Sequence, residues 1–81
     1  MRVKIFVSLK KGVLDPQGKA IEGSLHTLGY QEVADVRMGK YLELDITAPS
    51  RAAAELRIRE MCDKLLANPV IEDYRFEIEQ N

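Results

Sequence analysis

Val33-Ala34-Asp35-Val36-Arg37-Met38-Gly39-Lys40-Tyr41-Leu42-Glu43-Leu44-Asp45-Ile46 is the stretch on which the fold turns. Its second half alternates strictly. Leu42, Leu44 and Ile46 fall on one side and Tyr41, Glu43 and Asp45 on the other, the two-residue period of a strand with one buried face. Residues 33–38 read as another strand, with Gly39-Lys40 as a tight connection or as a bulge within one long hairpin. Upstream, Val3, Ile5, Val7 and Leu9 alternate with Arg2, Lys4, Phe6, Ser8 and Lys10, which predicts a first strand. Asp15 is an N-cap, because its carboxylate can accept from free amides of a first helical turn. Pro16 suits the first helical position, where no backbone donor is needed. Ile21, Leu25 and Leu28 then share one helix face, and Gly29 can take the left-handed conformation that stops the helix. Downstream, Thr47-Ala48-Pro49-Ser50 opens a second helix, on which Ala54, Ile58, Met61, Cys62, Leu65 and Leu66 recur at spacings of three and four. Asn68-Pro69 ends it, since proline disfavours helical geometry in the residue before it. Tyr74, Phe76 and Ile78 alternate with Asp73, Arg75 and Glu77 as a last strand.

The resulting order, β-α-β-β-α-β, predicts an α+β fold of the ferredoxin-like kind: an antiparallel sheet with two helices on one face. The other face would show Phe6, Tyr41 and Val33, a surface open to a partner. Leu56 lies opposite the core stripe of the second helix and is a second candidate contact. Each strand-helix-strand half is small enough for exchange of strands, or extension of the sheet, between copies.

The chain has 81 residues, which is the size of one domain spanning 1–81. Folding at this size hides only about 60 % of the surface of the unfolded chain, so the core is thin and further burial through association is favoured. Hydrophobic residues make up 46 % and charged residues 31 %, as in soluble globular proteins. No apolar run approaches the roughly 20 residues that span a bilayer, and Met1-Arg2-Val3-Lys4-Ile5-Phe6-Val7 does not look like a secretory signal, so a cytoplasmic location is expected. A net charge of −1 gives no reason to expect nucleic acid or membrane. The charge is divided, however: residues 1–40 hold seven basic against four acidic groups, and residues 41–81 five against nine. Such polarity suits head-to-tail contact, or simply a solvated surface.

No catalytic constellation stands out. His26, the one histidine, falls off the apolar stripe of its helix towards solvent and has no nucleophile tied to it. Cys62, the one cysteine, sits on the apolar stripe among Ile58, Met61 and Leu65, as an inert small hydrophobe. One cysteine forms no internal disulfide and no thiolate-rich zinc site. Glu72-Asp73 and Glu77 with Glu79 read as a solvated strand edge. The loop Lys11-Gly12 to Asp15-Pro16-Gln17-Gly18 opens a helix and could hold an anion, but the Asp15 carboxylate opposes one. Lys10, Arg37 and Lys40 form either a basic spot or three separate solvated charges.

Three stretches carry a resemblance: Val7-Ser8-Leu9-Lys10-Lys11-Gly12-Val13-Leu14-Asp15-Pro16-Gln17-Gly18, Val36-Arg37-Met38-Gly39-Lys40-Tyr41, and Met61-Cys62-Asp63-Lys64-Leu65-Leu66-Ala67-Asn68-Pro69-Val70-Ile71-Glu72-Asp73-Tyr74. Together they resemble, almost end to end, the PurS family, the small subunits of phosphoribosylformylglycinamidine (FGAM) synthase. Lys10-Lys11-Gly12 departs from the Lys-Pro-Gly common there, which bears on the stiffness of that loop. The resemblance implies a non-catalytic subunit of a purine-biosynthesis ligase. That ligase makes FGAM from formylglycinamide ribonucleotide, ATP and glutamine. The implied partners are a large synthetase subunit (PurL), which would hold ATP and Mg2+, and a glutaminase subunit (PurQ). Further copies of the chain are implied too, as a dimer or dimer of dimers. No cofactor is expected in the chain itself. The expected contact residues are Lys10, Gly12, Asp15, Pro16, Gly18, Arg37, Gly39, Lys40, Tyr41, Asn68, Pro69 and Tyr74. Gly12, Gly18 and Gly39 could equally serve backbone geometry alone, and Asn68-Pro69 the helix end alone. A different class, a ferredoxin-like module that senses a small ligand between protomers, is the alternative. An RNA-binding sheet would need a basic face and more central aromatics.

Overall fold

The computed structural model describes residues 1–79. Its order is β1 (Arg2–Leu9), α1 (Pro16–Thr27), β2 (Gly39–Asp45), α2 (Arg51–Met61), a π-helical turn (Cys62–Leu66) and β3 (Glu72–Glu79). The sheet is antiparallel, in the order β2-β1-β3. Val3 faces Leu44 and Ile78, and Ile5 faces Leu42 and Phe76, so the period-two apolar positions of all three strands fall on one face. α2 lies on that face. Val3, Ile5, Val7, Ala54, Ile58, Cys62, Ala67 and Ile78 form the buried core.

The helix ends follow from side-chain chemistry. Asp15 caps α1 through the Gly18 amide at 2.8 Å, with Pro16 at the first helical position. Ser50 caps α2 through the Ala53 amide at 3.1 Å. Gly29, with φ +103°, stops α1 as its sequence position predicts.

Within one chain two features differ from the simplest ferredoxin-like layout. Residues 33–38, expected as the second strand, enter no ladder. They do not turn back at Gly39-Lys40 as a hairpin but run straight on into β2. Among them Asp35 has a φ of +56°, a conformation that aspartate tolerates better than most residues. Second, α1 contributes nothing to the buried apolar core. It lies instead along residues 33–38, and the two together form an arm. The chain measures 51 × 28 × 14 Å, and its radius of gyration of 16.2 Å far exceeds the roughly 12 Å of a compact chain of this length.

α2 also departs from its expected stripe at one point. Ala54, Ile58 and Cys62 are buried as expected, but Leu65 is 82 % exposed. The helix widens at Cys62–Leu66, where the Ala67 amide reaches back to the Cys62 carbonyl at 2.9 Å. That i to i+5 turn rotates Leu65 off the core face.

Candidate functional site

The three sequence stretches that carry the resemblance meet at one end of the sheet. There β1 leaves, β2 and β3 begin, and the arm joins. Asp15 is the pivot and is 4 % exposed. One carboxylate oxygen accepts the Gly18 amide and the other accepts the Met38 amide at 2.7 Å. Those two bonds hold its carboxyl below the usual carboxylate range, against the opposing effect of burial. A single side chain therefore caps α1 and fixes the start of β2.

Gly18 is the next part of the joint. A Cβ there would run into the backbone carbonyl of Val36, so the absence of a side chain lets α1 lie against the arm. Further along α1, the Glu22 carboxylate accepts the Val36 amide at 3.3 Å, which also holds its carboxyl low. His26 Nε2 donates to the Val33 carbonyl at 2.7 Å. His26 is thus half-buried and structural, where the sequence placed it towards solvent. The sequence reading gave Glu22 no role. The signal was there: Glu22 and His26 are four apart, on one face of α1.

Around this joint the chain turns out two shallow pockets. One is lined by Leu9, Asp15, Gln17, Met38, Gly39, Lys40 and Glu72. The other is lined by Lys10, Cys62, Asp63, Ala67, Pro69, Glu72, Asp73 and Tyr74. Glu72 belongs to both. It accepts the Asn68 amide at 2.7 Å and pairs with Lys40 at 3.5 Å. Asn68 in turn accepts the Val70 amide on its side chain and the Ile71 and Glu72 amides on its carbonyl. Asn68-Pro69 does more than end a helix: it builds the loop that starts β3.

Lys10, Arg37 and Lys40 do not pool into a basic patch. Lys10 pairs with Asp73 at 3.7 Å, Lys40 with Glu72, and Arg37 donates to the Lys10 carbonyl at 3.2 Å. Lys10, Asp15, Gly18, Arg37, Gly39, Lys40, Asn68, Pro69 and Tyr74 are all at this end. Gly12, with φ +88°, lies on its approach loop, between β1 and Pro16 at the start of α1. Tyr41 stands apart on the uncovered sheet face, its ring 5.0 Å from that of Phe6, with the Arg75 guanidinium 3.9 Å above Phe6. On the same face Arg2 pairs with Glu43 and Asp45, and Lys4 with Glu79.

Burial pushes the Cys62 thiol up, and no group of metal-ligating side chains is present among the described residues. Burial likewise raises the Tyr74 hydroxyl.

Comparison with known proteins puts a family on this architecture. A model of the PurS family, described as phosphoribosylformylglycinamidine (FGAM) synthase, matches residues 2–80. The chain is 56 % identical over 79 residues to the PurS subunit of Bacillus subtilis, covering 98 % of this chain and 93 % of that protein. The crystal structure of PurS from Methanocaldococcus jannaschii superposes with a TM-score of 0.86 at 38 % identity, over 99 % of this chain and 96 % of that one. A chain in the structure of PurLQS from Thermotoga maritima matches with a TM-score of 0.86 at 32 % identity, over 94 % and 93 % of the two. With family model, sequence and fold all agreeing over nearly the whole length, the chain belongs to the PurS family of FGAM synthase subunits.

Proposed function

We propose that the chain, one domain throughout, is the bridging subunit of an FGAM synthase complex. It would have no active site of its own and would join a large synthetase subunit, carrying ATP and Mg2+, to a glutaminase subunit in the cytoplasm. The observation that carries the reading is the gathering of all three motif stretches into one surface at the arm joint, with its buried Asp15 and paired Lys40 and Glu72. The relative found within a PurLQS structure supports the same partners. Lys10, Gly12, Pro16, Arg37, Gly39, Lys40, Asn68, Pro69 and Tyr74 form the contact surface in this proposal, shaped from beneath by the buried Asp15 and Gly18, and Tyr41 a separate contact on the open sheet face. Copies of the chain associate with one another in the assembly.

A bridge matters because the intermediate is ammonia. At neutral pH, ammonia in bulk water is mostly protonated and so not nucleophilic. A contact that excludes water between the two sites keeps it neutral and close to its acceptor. The ligand-sensing alternative is not favoured by relatives that share this fold end to end and are named as synthase subunits.

The test is reconstitution. Glutamine-dependent FGAM synthesis is measured with the large subunit and glutaminase of the same organism, with and without the chain. We expect activity to require it and the chain alone to be inert. Equal activity without it would end the bridging reading.

A further inference from the structure

β3 closes the sheet on the side away from β2. It runs for eight residues, Glu72–Glu79, with β1 on its inner side and, among the described residues, no strand on its outer side. The Lys10 amide donates to the Ile71 carbonyl at 2.9 Å, which sets the phase of the ladder. Bonded pairs alternate along an antiparallel ladder, so Asp73, Arg75, Glu77 and Glu79 turn their N–H and C=O groups inward to β1. Tyr74, Phe76 and Ile78 turn theirs outward. Among the described residues only the Ile78 carbonyl finds a donor there, the Arg51 guanidinium at 3.3 Å. The register of β3 is continuous and the strand contains no proline. A long edge of that kind is a template for another strand.

The groove that flanks this edge has a charge of its own. It lies between α2 and β3, has a volume of about 360 Å3, and is lined by Arg51, Glu55, Arg59, Arg75 and Phe76 among others. Residues 41–81 carry five basic groups against nine acidic ones, yet three of the five basic groups line this groove and only one of the nine acidic ones does. Arg51, Glu55 and Arg59 follow one another at a spacing of four along one flank of α2. Arg51 pairs with Glu55 at 3.4 Å, and Arg75 with Glu77 at 3.2 Å. Arg59 has no carboxylate at ion-pair distance among the described residues, and its guanidinium lies 5.1 Å over the Phe76 ring.

Resting on the bridging reading, we propose that the outer edge of β3 takes up an extended acidic segment of another subunit of the synthase assembly as a fourth strand, with an Asp or Glu carboxylate held between Arg51 and Arg59. Main-chain bonds to Tyr74 and Phe76 supply the attachment, and the side chain that falls in the groove supplies the selectivity. A carboxylate there gives Arg59 an acidic partner beside the Phe76 ring, where a charge-assisted bond is shielded from water. A second copy of β3 is a poor occupant. Laid antiparallel about Phe76, it would set Asp73 against Glu79 at both ends and Arg59 against Arg59, and like charges face to face oppose pairing. The Arg75–Glu77 matches it would bring are already made within each chain.

The test is amide exchange at the edge itself. The full-length chain, labelled with heavy nitrogen, exchanges in deuterated water alone and in the complex reconstituted with the synthetase and glutaminase subunits. Exchange is quenched and read residue by residue by NMR. Alone, the Tyr74, Phe76 and Ile78 amides should exchange quickly while those of Arg75 and Glu77 exchange slowly. In the complex the first three should slow by at least about tenfold, as amides that gain a strand partner do. Arg59→Glu should lower that protection and weaken the complex, from a chain whose circular dichroism and melting midpoint stay close to wild type. Wild-type protection in Arg59→Glu overturns the acidic partner. A complex that forms and is active, yet leaves the three amides as they are in the chain alone, overturns the added strand and leaves the bridging reading standing. Slow exchange of the three in the chain alone overturns it as well, since another copy would then hold the edge. Absence of any complex overturns the bridging reading and this proposal with it.

Discussion

Asp15 concentrates the local chemistry of the molecule. The Gly18 and Met38 amides hold its folded-state pKa below the ordinary carboxylate range. A depressed folded pKa stabilises the folded state above the unfolded pKa and loses that contribution as pH falls through the folded value. The joint should therefore be at full strength at neutral pH and weaken only below about pH 4. Asp15→Asn should lower the thermal midpoint at pH 7 and flatten the decline that the wild type shows on acidification. Melts of both proteins from pH 7 to pH 3 check this, and parallel curves would remove Asp15 as the source. Gly18→Ala tests the same joint by shape. A helix-interior alanine is ordinarily worth up to about 1 kcal/mol over glycine, yet here its Cβ meets the Val36 carbonyl. We expect net destabilisation, read as a lower denaturant midpoint. The caps at Asp15, Pro16 and Ser50 were legible in the sequence because capping is a local code. The second bond of Asp15, to Met38, was not, since it spans 23 positions and no local pattern announces it.

At the scale of elements, the apolar period set β1, β2, β3 and α2 correctly because each buries one face against the others. Ile58 shows what that burial is worth. It is fully buried under Val3 and Ile5 in the core cluster. Ile58→Ala should cost about 2–5 kcal/mol by urea unfolding, and a loss under 1 kcal/mol would mean that the core collapses around the gap. Leu65 sits on the same sequence stripe but is exposed, so Leu65→Ala should cost much less in the isolated fold. The stripe could not separate the two, because a π-helical turn adds a residue without changing the composition that defines a helix. Residues 33–38 posed the same kind of problem. Their β-forming composition predicts a strand, yet in the chain they join no ladder, since a strand's period says nothing about whether a partner lies within reach. α1 was likewise placed and bounded correctly, and only its docking could not be read.

For the whole molecule, the decisive quantity is how little one chain buries. Among the described residues eight make the buried apolar core, while Leu14, Leu28, Leu56, Leu65 and Val70 are each more than 60 % exposed. A core of that size is marginal by itself. If stability comes from association, unfolding and dissociation are one event and the melting midpoint depends on protein concentration. With an unfolding enthalpy near 0.7 kcal/mol per residue summed over two chains, a tenfold rise in concentration should raise the midpoint by roughly 4 °C. Calorimetry across a hundredfold range of concentration reads this directly, and a constant midpoint would show that one chain is stable alone. Charge adds a separate expectation for the larger assembly. The Lys40 side chain is 56 % exposed and that of its partner Glu72 15 %, so the pair is screened from the Lys40 side and contributes on the order of 1 kcal/mol. Lys40→Glu should therefore leave the melting midpoint within a few degrees of wild type. If the arm joint is the bridging surface, the same reversal should weaken the complex with the synthetase and glutaminase subunits. Co-elution of the three subunits at wild-type strength would take Lys40 off that surface, while a loss of assembly from a chain that still melts normally would place it there.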